Sequence, residues 1–270
     1  MINEGDNVLI WNPKKGDTVL LTVKKGATVG THFGQIYHDE ILSHDWGEGV
    51  TTPKGDVYYI TKPTLADYTR RIKRQTQIVF PKEAGFIIQH LNFFPGARVV
   101  ECGTGSGSLL TAFAHFVGDT GQIYTYDRRE EFSKIAQKNA AKWGVEHRIT
   151  FHVHDIENGF IERDADAVFL DVPNPYDHIG HAYDALAPGC RLGILVPTTN
   201  QISQTLLAME KFNFIDVMVV ELMLRYLKTD PYRIRPQDIM IGHTGYLIFG
   251  AKTLPIKEEI TPEEATQDDE

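Results

Sequence analysis

Val99–Thr111 reads VVECGTGSGSLLT. An apolar run closes on an acid, Glu101, and glycines follow at Gly103, Gly105 and Gly107. Glycines at alternate positions let a backbone turn sharply and approach a ligand closely. The spacing fails the dinucleotide pattern G-x-G-x-x-G: the third glycine position is Ser108 counting from Gly103, and Leu110 counting from Gly105. No Gly-Lys-Ser/Thr ends the loop, so a nucleotide-triphosphate loop is excluded as well. Glu101 would repel a pyrophosphate and suits a cationic ligand.

Two further acids sit where strands should end. IYTYD closes on Asp127, 24 residues after Gly103, and a carboxylate there can accept both hydroxyls of a ribose. FHVHD closes on Asp155, where an acid could accept from an adenine amino group. Singly, each is compatible with a solvated strand end. Together with E-x-G-x-G-x-G they point to S-adenosylmethionine, whose ammonium and sulfonium match Glu101, and to a class I methyltransferase. A fourth apolar run, AVFLDVPNPYD, ends in Asp171, and Pro173 and Pro175 restrict the turn behind it. Such a turn can hold a side chain over a transferable methyl group. Asn174-Pro175-Tyr176 also resembles part of the Asn-Pro-Pro-Tyr turn of enzymes that methylate exocyclic amines of nucleobases.

The elements that must position these residues follow from the period of the apolar pattern. From about Arg98 onward apolar strands (ARVVEC, GQIYTYD, ITFHVHD, ADAVFLD, RLGILVP) alternate with amphipathic helices near 107–117, 130–143, 178–186 and 201–211. That alternation predicts an α/β, Rossmann-like, doubly wound parallel sheet. FIDVMVVELMLRYL and GYLIFGAK have no full helix between them, which predicts an antiparallel closing pair. Residues 1–62 read as short strands (DNVLIWN, DTVLLTV, THFGQIYH, DVYYIT) separated by turn clusters, a small β-barrel-like domain. Residues 63–96 read as a helical connector, with Thr64 capping one helix and Pro81 starting another. The methyltransferase domain then spans 97–254, and 255–270 is read as an acidic disordered tail.

Composition sets the broad class. Of 270 residues, 42% are hydrophobic and 23% charged, as in soluble globular proteins. No apolar run reaches the roughly 20 residues that span a bilayer, so no membrane partner is expected. No signal peptide is visible, and two cysteines without a CxxC point to a reducing, cytoplasmic setting. The net charge of −9 argues against a polyanionic partner until its distribution is read. Residues 255–270 carry −6 of it, while 62–82 hold six bases (Lys62, Arg70, Arg71, Lys73, Arg74, Lys82) against Asp67 alone. That stretch is either a solvated helix face or a phosphate-binding one.

Four stretches resemble the tRNA adenine-N1-methyltransferases that modify position 58, in their bacterial and archaeal homo-oligomeric form. They are YYITKPTLADYTRRIKRQTQIVFPKEAGFI, VVECGTGSGSLLTAFAHFVGDTGQIYTYDRREEF, VFLDVPNPYD and RIRPQDIMIGHTGYLIFGA. The Gln-Ile-x-x-Pro-Lys-Glu and His-Thr-Gly segments are more specific than the glycine loop. The resemblance implies a homotetramer acting on tRNA with S-adenosylmethionine. It implies a cofactor site of Gln77, Glu101, Gly103, Gly105, Ser106, Gly107, Ser108, Leu109, Asp127, Phe132, Asp155 and Asp171. Asp171 would also be catalytic, and Phe80, Tyr176, Arg233 and His243 would bind substrate. Phe80 stands where relatives often carry Tyr or His, and Tyr176 where many carry Trp. The same resemblance leaves position 57 open as a second target.

The alternatives are another nucleobase methyltransferase acting on an exocyclic amine, a non-catalytic tRNA-binding subunit, and a nicotinamide dehydrogenase. An intact cofactor loop argues against the second and the failed dinucleotide pattern against the third. His152 with His154, and His178 with His181, raise a zinc site. Neither pair has a defined third ligand, and no metal is expected. Cys102 is read as small packing rather than as a nucleophile.

Overall fold

The computed structural model describes residues 1–255. The expected acidic tail, from residue 256 onward, lies outside the described residues. Near the N-terminus, β1 (Asn7–Asn12), β2 (Asp17–Thr22), β3 (Thr28–Thr31), β4 (Gly34–Tyr37), β5 (Gly49–Thr51) and β6 (Val57–Thr61) surround a short α1 (His38–Leu42). They do not close a barrel. β2-β1-β6-β5 form an open antiparallel sheet, and β3-β4 form a separate hairpin. THFGQIYH, expected as one strand, breaks at His32–Phe33, and Gly34 takes a positive φ of 128° to start β4. Ile10, Ile36, Ile41, Val50, Tyr58 and Ile60 close this unit's own core.

Two helices connect it to the larger sheet. α2 (Leu65–Arg71) starts at a capping box: Asp67 N–H donates to the Thr64 hydroxyl and Asp67 accepts from the Thr64 N–H. α3 (Pro81–His90) has proline at its first position, where a missing N–H leaves nothing unpaired.

The main sheet has the order β12-β13-β11-β10-β7-β8-β9. It runs through β7 (Arg98–Cys102), α4 (Ser108–Val117), β8 (Gln122–Asp127), α5 (Glu130–Trp143), β9 (Ile149–Val153) and β10 (Ala165–Leu170). α6 (Ile179–Ala185), β11 (Leu186–Val196), α7 (Thr199–Met209), β12 (Phe214–Glu221) and β13 (Tyr246–Lys252) complete it. β7 to β11 are parallel, and β13 inserts antiparallel between β11 and β12. The expected closing strand ends at Glu221 instead of running through Leu227. Residues 222–245 leave the sheet as an exposed arm, joined to itself by the Leu227–Pro236 bridge. Apolar side chains fill both faces of the sheet: Phe113, Ile123, Phe169 and Phe249 on one, Val100, Val168, Ile194 and Ile248 on the other. Strand order reverses between β7 and β10, and in an open α/β sheet that reversal leaves a crevice beyond the strand ends.

Candidate active site

The crevice is built by chain geometry before any side chain enters it. Glu101 pairs with Phe169 and Cys102 with Leu170 across β7 and β10, so Gly103 and Asp171 leave the sheet side by side. A Cβ on Gly103 would stand 2.1 Å from the Asp171 carbonyl oxygen, and its φ is 102°. Only glycine lets the two strand ends touch here. Gly107 meets the same limit against helix α5, 2.8 Å from the Ala136 Cβ. Gly105 bends at φ 50° and points its N–H at Asp127 Oδ2, 3.3 Å away.

Two connected lobes result. The smaller, about 310 Å³, is walled by Thr76–Val79, Glu101, the loop 103–109, Asp171–Pro173, Leu195 and Pro197. The larger, about 480 Å³, is walled by Asp127–Arg129, His154–Glu157, Asp171–Asn174 and the Asp177–His181 turn. Gly103, Arg129, Asp171, Val172 and Pro173 belong to both. These sizes are typical of small-molecule sites.

Glu101 is 1% exposed and accepts from the Thr125 hydroxyl at 2.7 Å. Burial pushes its carboxyl up to about 8, and the nearby Asp171 and Asp127 carboxylates add to the rise against the Thr125 hydrogen bond. Asp171 is exposed toward the open groove, yet the surrounding protein desolvates its carboxyl and pushes it up to about 6. Asp127 is buried. It accepts from its own loop through the Arg129 N–H at 3.0 Å and from the Arg129 guanidinium at 3.1 and 3.4 Å. Asp155 Oδ1 accepts from the Glu157 N–H and caps the next turn.

Of the residues expected to hold a cofactor, Gln77, Glu101, Gly103, Gly105, Ser106, Gly107, Ser108, Leu109 and Asp171 wall the smaller lobe. Asp127 and Asp155 wall the larger. The Ser106 and Ser108 hydroxyls are turned to other work. Ser106 Oγ accepts from the Gln75 N–H and pairs with Thr76, and Ser108 donates to the Thr69 carbonyl, so both tie the loop to the connector. Phe132 walls neither lobe. Its ring lies 4.1 Å beneath the Arg129 guanidinium, which is itself the lining group. Among the expected substrate residues, Phe80 caps α3 just outside the smaller lobe, and Tyr176 donates to Asn174 at the rim. Arg233 lies on the arm and His243 at its root.

Arg129 is the residue that sequence reasoning missed. Its only signal was a base two positions after a strand-end acid. The two histidine pairs do not form a metal site: His152 faces Glu162, His154 faces the Gly159 carbonyl, and His178 and His181 stack 6.4 Å apart. Among the described residues no group of three or more His, Cys, Asp or Glu is placed to hold a metal ion. Cys102 is buried packing.

The donor set tests the cofactor. Four carboxyls, Glu101, Asp127, Asp155 and Asp171, converge on a groove floored by a glycine loop that a Cβ would fill. A net-cationic nucleoside with vicinal hydroxyls fits that surface; a pyrophosphate does not.

Comparison with known proteins agrees. Residues 56–240 match the family described as "tRNA methyltransferase complex GCD14 subunit". The tRNA (adenine(57)-N(1)/adenine(58)-N(1))-methyltransferase TrmI of Methanocaldococcus jannaschii is 31% identical over 81% of this chain and 86% of its own. The crystal structure of the tRNA (m1A58) methyltransferase TrmI of Aquifex aeolicus superposes with a TM-score of 0.83 at 31% identity, covering 94% of this chain and 99% of that one. A Thermotoga maritima structure described as a SAM-dependent O-methyltransferase superposes at 0.91 with 39% identity, covering 95% and 96%.

Proposed function

Since the chain belongs to the tRNA methyltransferase complex GCD14 subunit family, we propose that it transfers a methyl group from S-adenosylmethionine to N1 of adenine 58 in tRNA. The observation that carries this reading is the Asp171 carboxyl, which opens into the groove at the point where both lobes meet. When bound, S-adenosylmethionine supplies an electrophilic methyl on a sulfonium.

This chain's own residues supply the rest. Asp127 is the acceptor for the ribose hydroxyls, in exchange for the Arg129 guanidinium. Asp155 accepts from the adenine amino group of the cofactor. Glu101 and the loop amides hold the methionine end. Asp171 accepts from the exocyclic amine of the target and places negative charge where positive charge develops on the purine. Gly103 and the Pro173–Pro175 turn fix the backbone that carries this carboxylate, which limits the reorganisation needed during transfer. Position 58 is an enclosed base, so it must be unstacked. Tyr176 and Phe80, flanking the groove, are suited to stack on it. Arg70, Arg71, Lys73 and Arg74 with Arg233 grip phosphates.

We further propose that the protein acts as a homotetramer in the cytoplasm. The arm supports self-association: Tyr232 is 94% and Ile239 86% exposed in the single chain. Low cysteine content supports a reducing compartment, and no described helix is long and apolar enough to cross a membrane.

The test is incubation of purified protein with S-adenosylmethionine and unmodified tRNA, followed by nucleoside mass spectrometry after neutral work-up. N1-methyladenosine that disappears when adenine 58 is replaced is the expected product; replacing adenine 57 asks whether it is a second target. The Thermotoga relative's description favours oxygen as target. A 2′-O-methylated nucleoside, or N6-methyladenosine formed directly, would overturn the N1 assignment.

A further inference from the structure

The arm 222–245 is exposed along most of its length, but its root is not free. Lys82, the second residue of α3, donates all its reach into that root: to the Leu222 carbonyl at 2.7 Å, to the Thr244 hydroxyl at 2.7 Å, and to Glu83. Thr244 in turn donates to the same Glu83 oxygen. Lys82, Glu83 and Thr244 thus close a triangle across 162 residues of sequence, and Lys82 holds both ends of the arm at once. The pair is nearly dry, with side chains 14% and 3% exposed. His243 adds two ties beside it, donating to Glu221 at 2.7 Å and to the Pro197 carbonyl at 3.0 Å.

A buried ion pair is weak evidence for stability, and in some proteins it serves instead to fix a single arrangement. Here the second Glu83 oxygen is buried without a partner. What the arrangement fixes is visible from its neighbours. The segment immediately before α3, Thr76–Val79, walls the smaller lobe of the groove, and so does Pro197. Beyond its root, the arm touches the rest of the chain through Arg70, whose guanidinium lies 3.4 Å from the Tyr226 hydroxyl.

We propose that Lys82, Glu83 and Thr244 form a clamp that sets the orientation of the arm on the cofactor groove, so that RNA held by the arm is presented to Asp171 in one position. They are positioning residues: none of the three walls either lobe. The clamp rests on the functional reading for what is presented, and on the hydrogen bonds for what is held.

Two variants remove it without stranding a charge. Lys82→Met/Glu83→Gln neutralises both partners together, and Thr244→Val keeps the shape while deleting the bridging hydroxyl. With wild-type cofactor affinity by calorimetry and a melting temperature within a few degrees, kcat/KM for tRNA should fall about tenfold or more, the scale of a slightly misplaced reactant. Trypsin cleavage at Arg225, Lys228 and Arg233 should quicken by a similar factor. Unchanged kcat/KM for tRNA, or an unchanged trypsin rate in both variants, would overturn the clamp. So would a loss of turnover that merely follows lost cofactor affinity or lost fold. Should the wild-type protein fail to methylate tRNA, the functional reading falls separately, and the trypsin rate still decides whether the arm is clamped.

Discussion

Glu101 is a carboxyl that burial and two neighbouring acids keep protonated near neutrality, with a value pushed up to about 8 from an ordinary 4.5. The folded protein therefore binds more protons than the unfolded chain across that interval. Stability from this group is fully present below about 4.5 and is lost as pH rises toward and through about 8. The melting temperature of the free protein should fall over that window, and Glu101→Gln should flatten the slope; an identical slope in the variant would show that the carboxyl is already ionised. A cationic ligand favours the ionised form, so S-adenosylmethionine should bind more tightly as pH rises from about 6 toward 8, with proton release seen as a buffer-dependent heat. The thioether product loses the sulfonium charge but keeps the ammonium, so its dependence on pH should be weaker. Asp127 and Asp171 divide differently. Asp127→Ala removes a charged acceptor worth about 1.5–3 kcal/mol, and calorimetry should show the cofactor weakened accordingly. Asp171→Ala should spare binding and lower single-turnover rate by ~10²–10³, the loss expected for a preorganised electrostatic group. Asp171→Asn separates charge from shape, so a variant as fast as wild type would end the charge-stabilising role.

Strand ends were readable because an open parallel sheet delivers its carboxyl edges to one crevice, so Glu101, Asp127, Asp155 and Asp171 could be brought together from pattern alone. The glycines were readable for the same reason. What the pattern could not carry was where side chains turn after the backbone is placed. Arg129 folds back onto Asp127 and takes the lining position expected of Phe132. The Ser106 and Ser108 hydroxyls face the connector because the segment 69–79 passes over the loop, a contact between elements about 30 to 40 residues apart. Lys82 and Thr244 are farther apart still, and their meeting depends on β13 inserting beside β11. THFGQIYH failed because alternation over eight residues does not reveal a turn inside it. Glycine chemistry gives a direct check on this level. Gly103→Ala must push on backbone at Asp171 and adopt an unfavourable φ, so cofactor binding and melting temperature should both drop sharply. Gly85 is exposed within α3 with nothing within 4 Å of its missing Cβ. Gly85→Ala should therefore raise stability by about 0.5–1 kcal/mol, read as a higher melting temperature.

The charge of −9 describes a molecule with its signs sorted by region. Acids line the groove, where the ligand is cationic, while bases gather on the connector and the arm, where Arg225, Lys228, Arg233 and Arg235 outnumber Asp230 and Asp238. Arg70 beside Tyr226 brings the two basic regions into contact. A polyanion laid across them would release counterions, so tRNA affinity should fall steeply with salt, and Arg70→Glu with Arg74→Glu should lower both the affinity and the slope of that dependence. The arm also carries Tyr232, Ile234 and Ile239, all exposed in the single chain. Its two sets of side chains make its two proposed roles separable. If the apolar set is covered by further copies of the chain, Tyr232→Asp with Ile239→Asp should reduce the mass measured by light scattering, because a carboxylate buried at a subunit contact is expensive to desolvate. Arg233→Glu with Arg235→Glu should instead leave the mass unchanged and weaken tRNA binding. A wild-type protein that scatters as a single 30.5 kDa chain would end the self-association reading at once. A mass that stays at the wild-type value in the apolar variant would move the subunit contact off the arm and leave Tyr232 and Ile239 to the RNA.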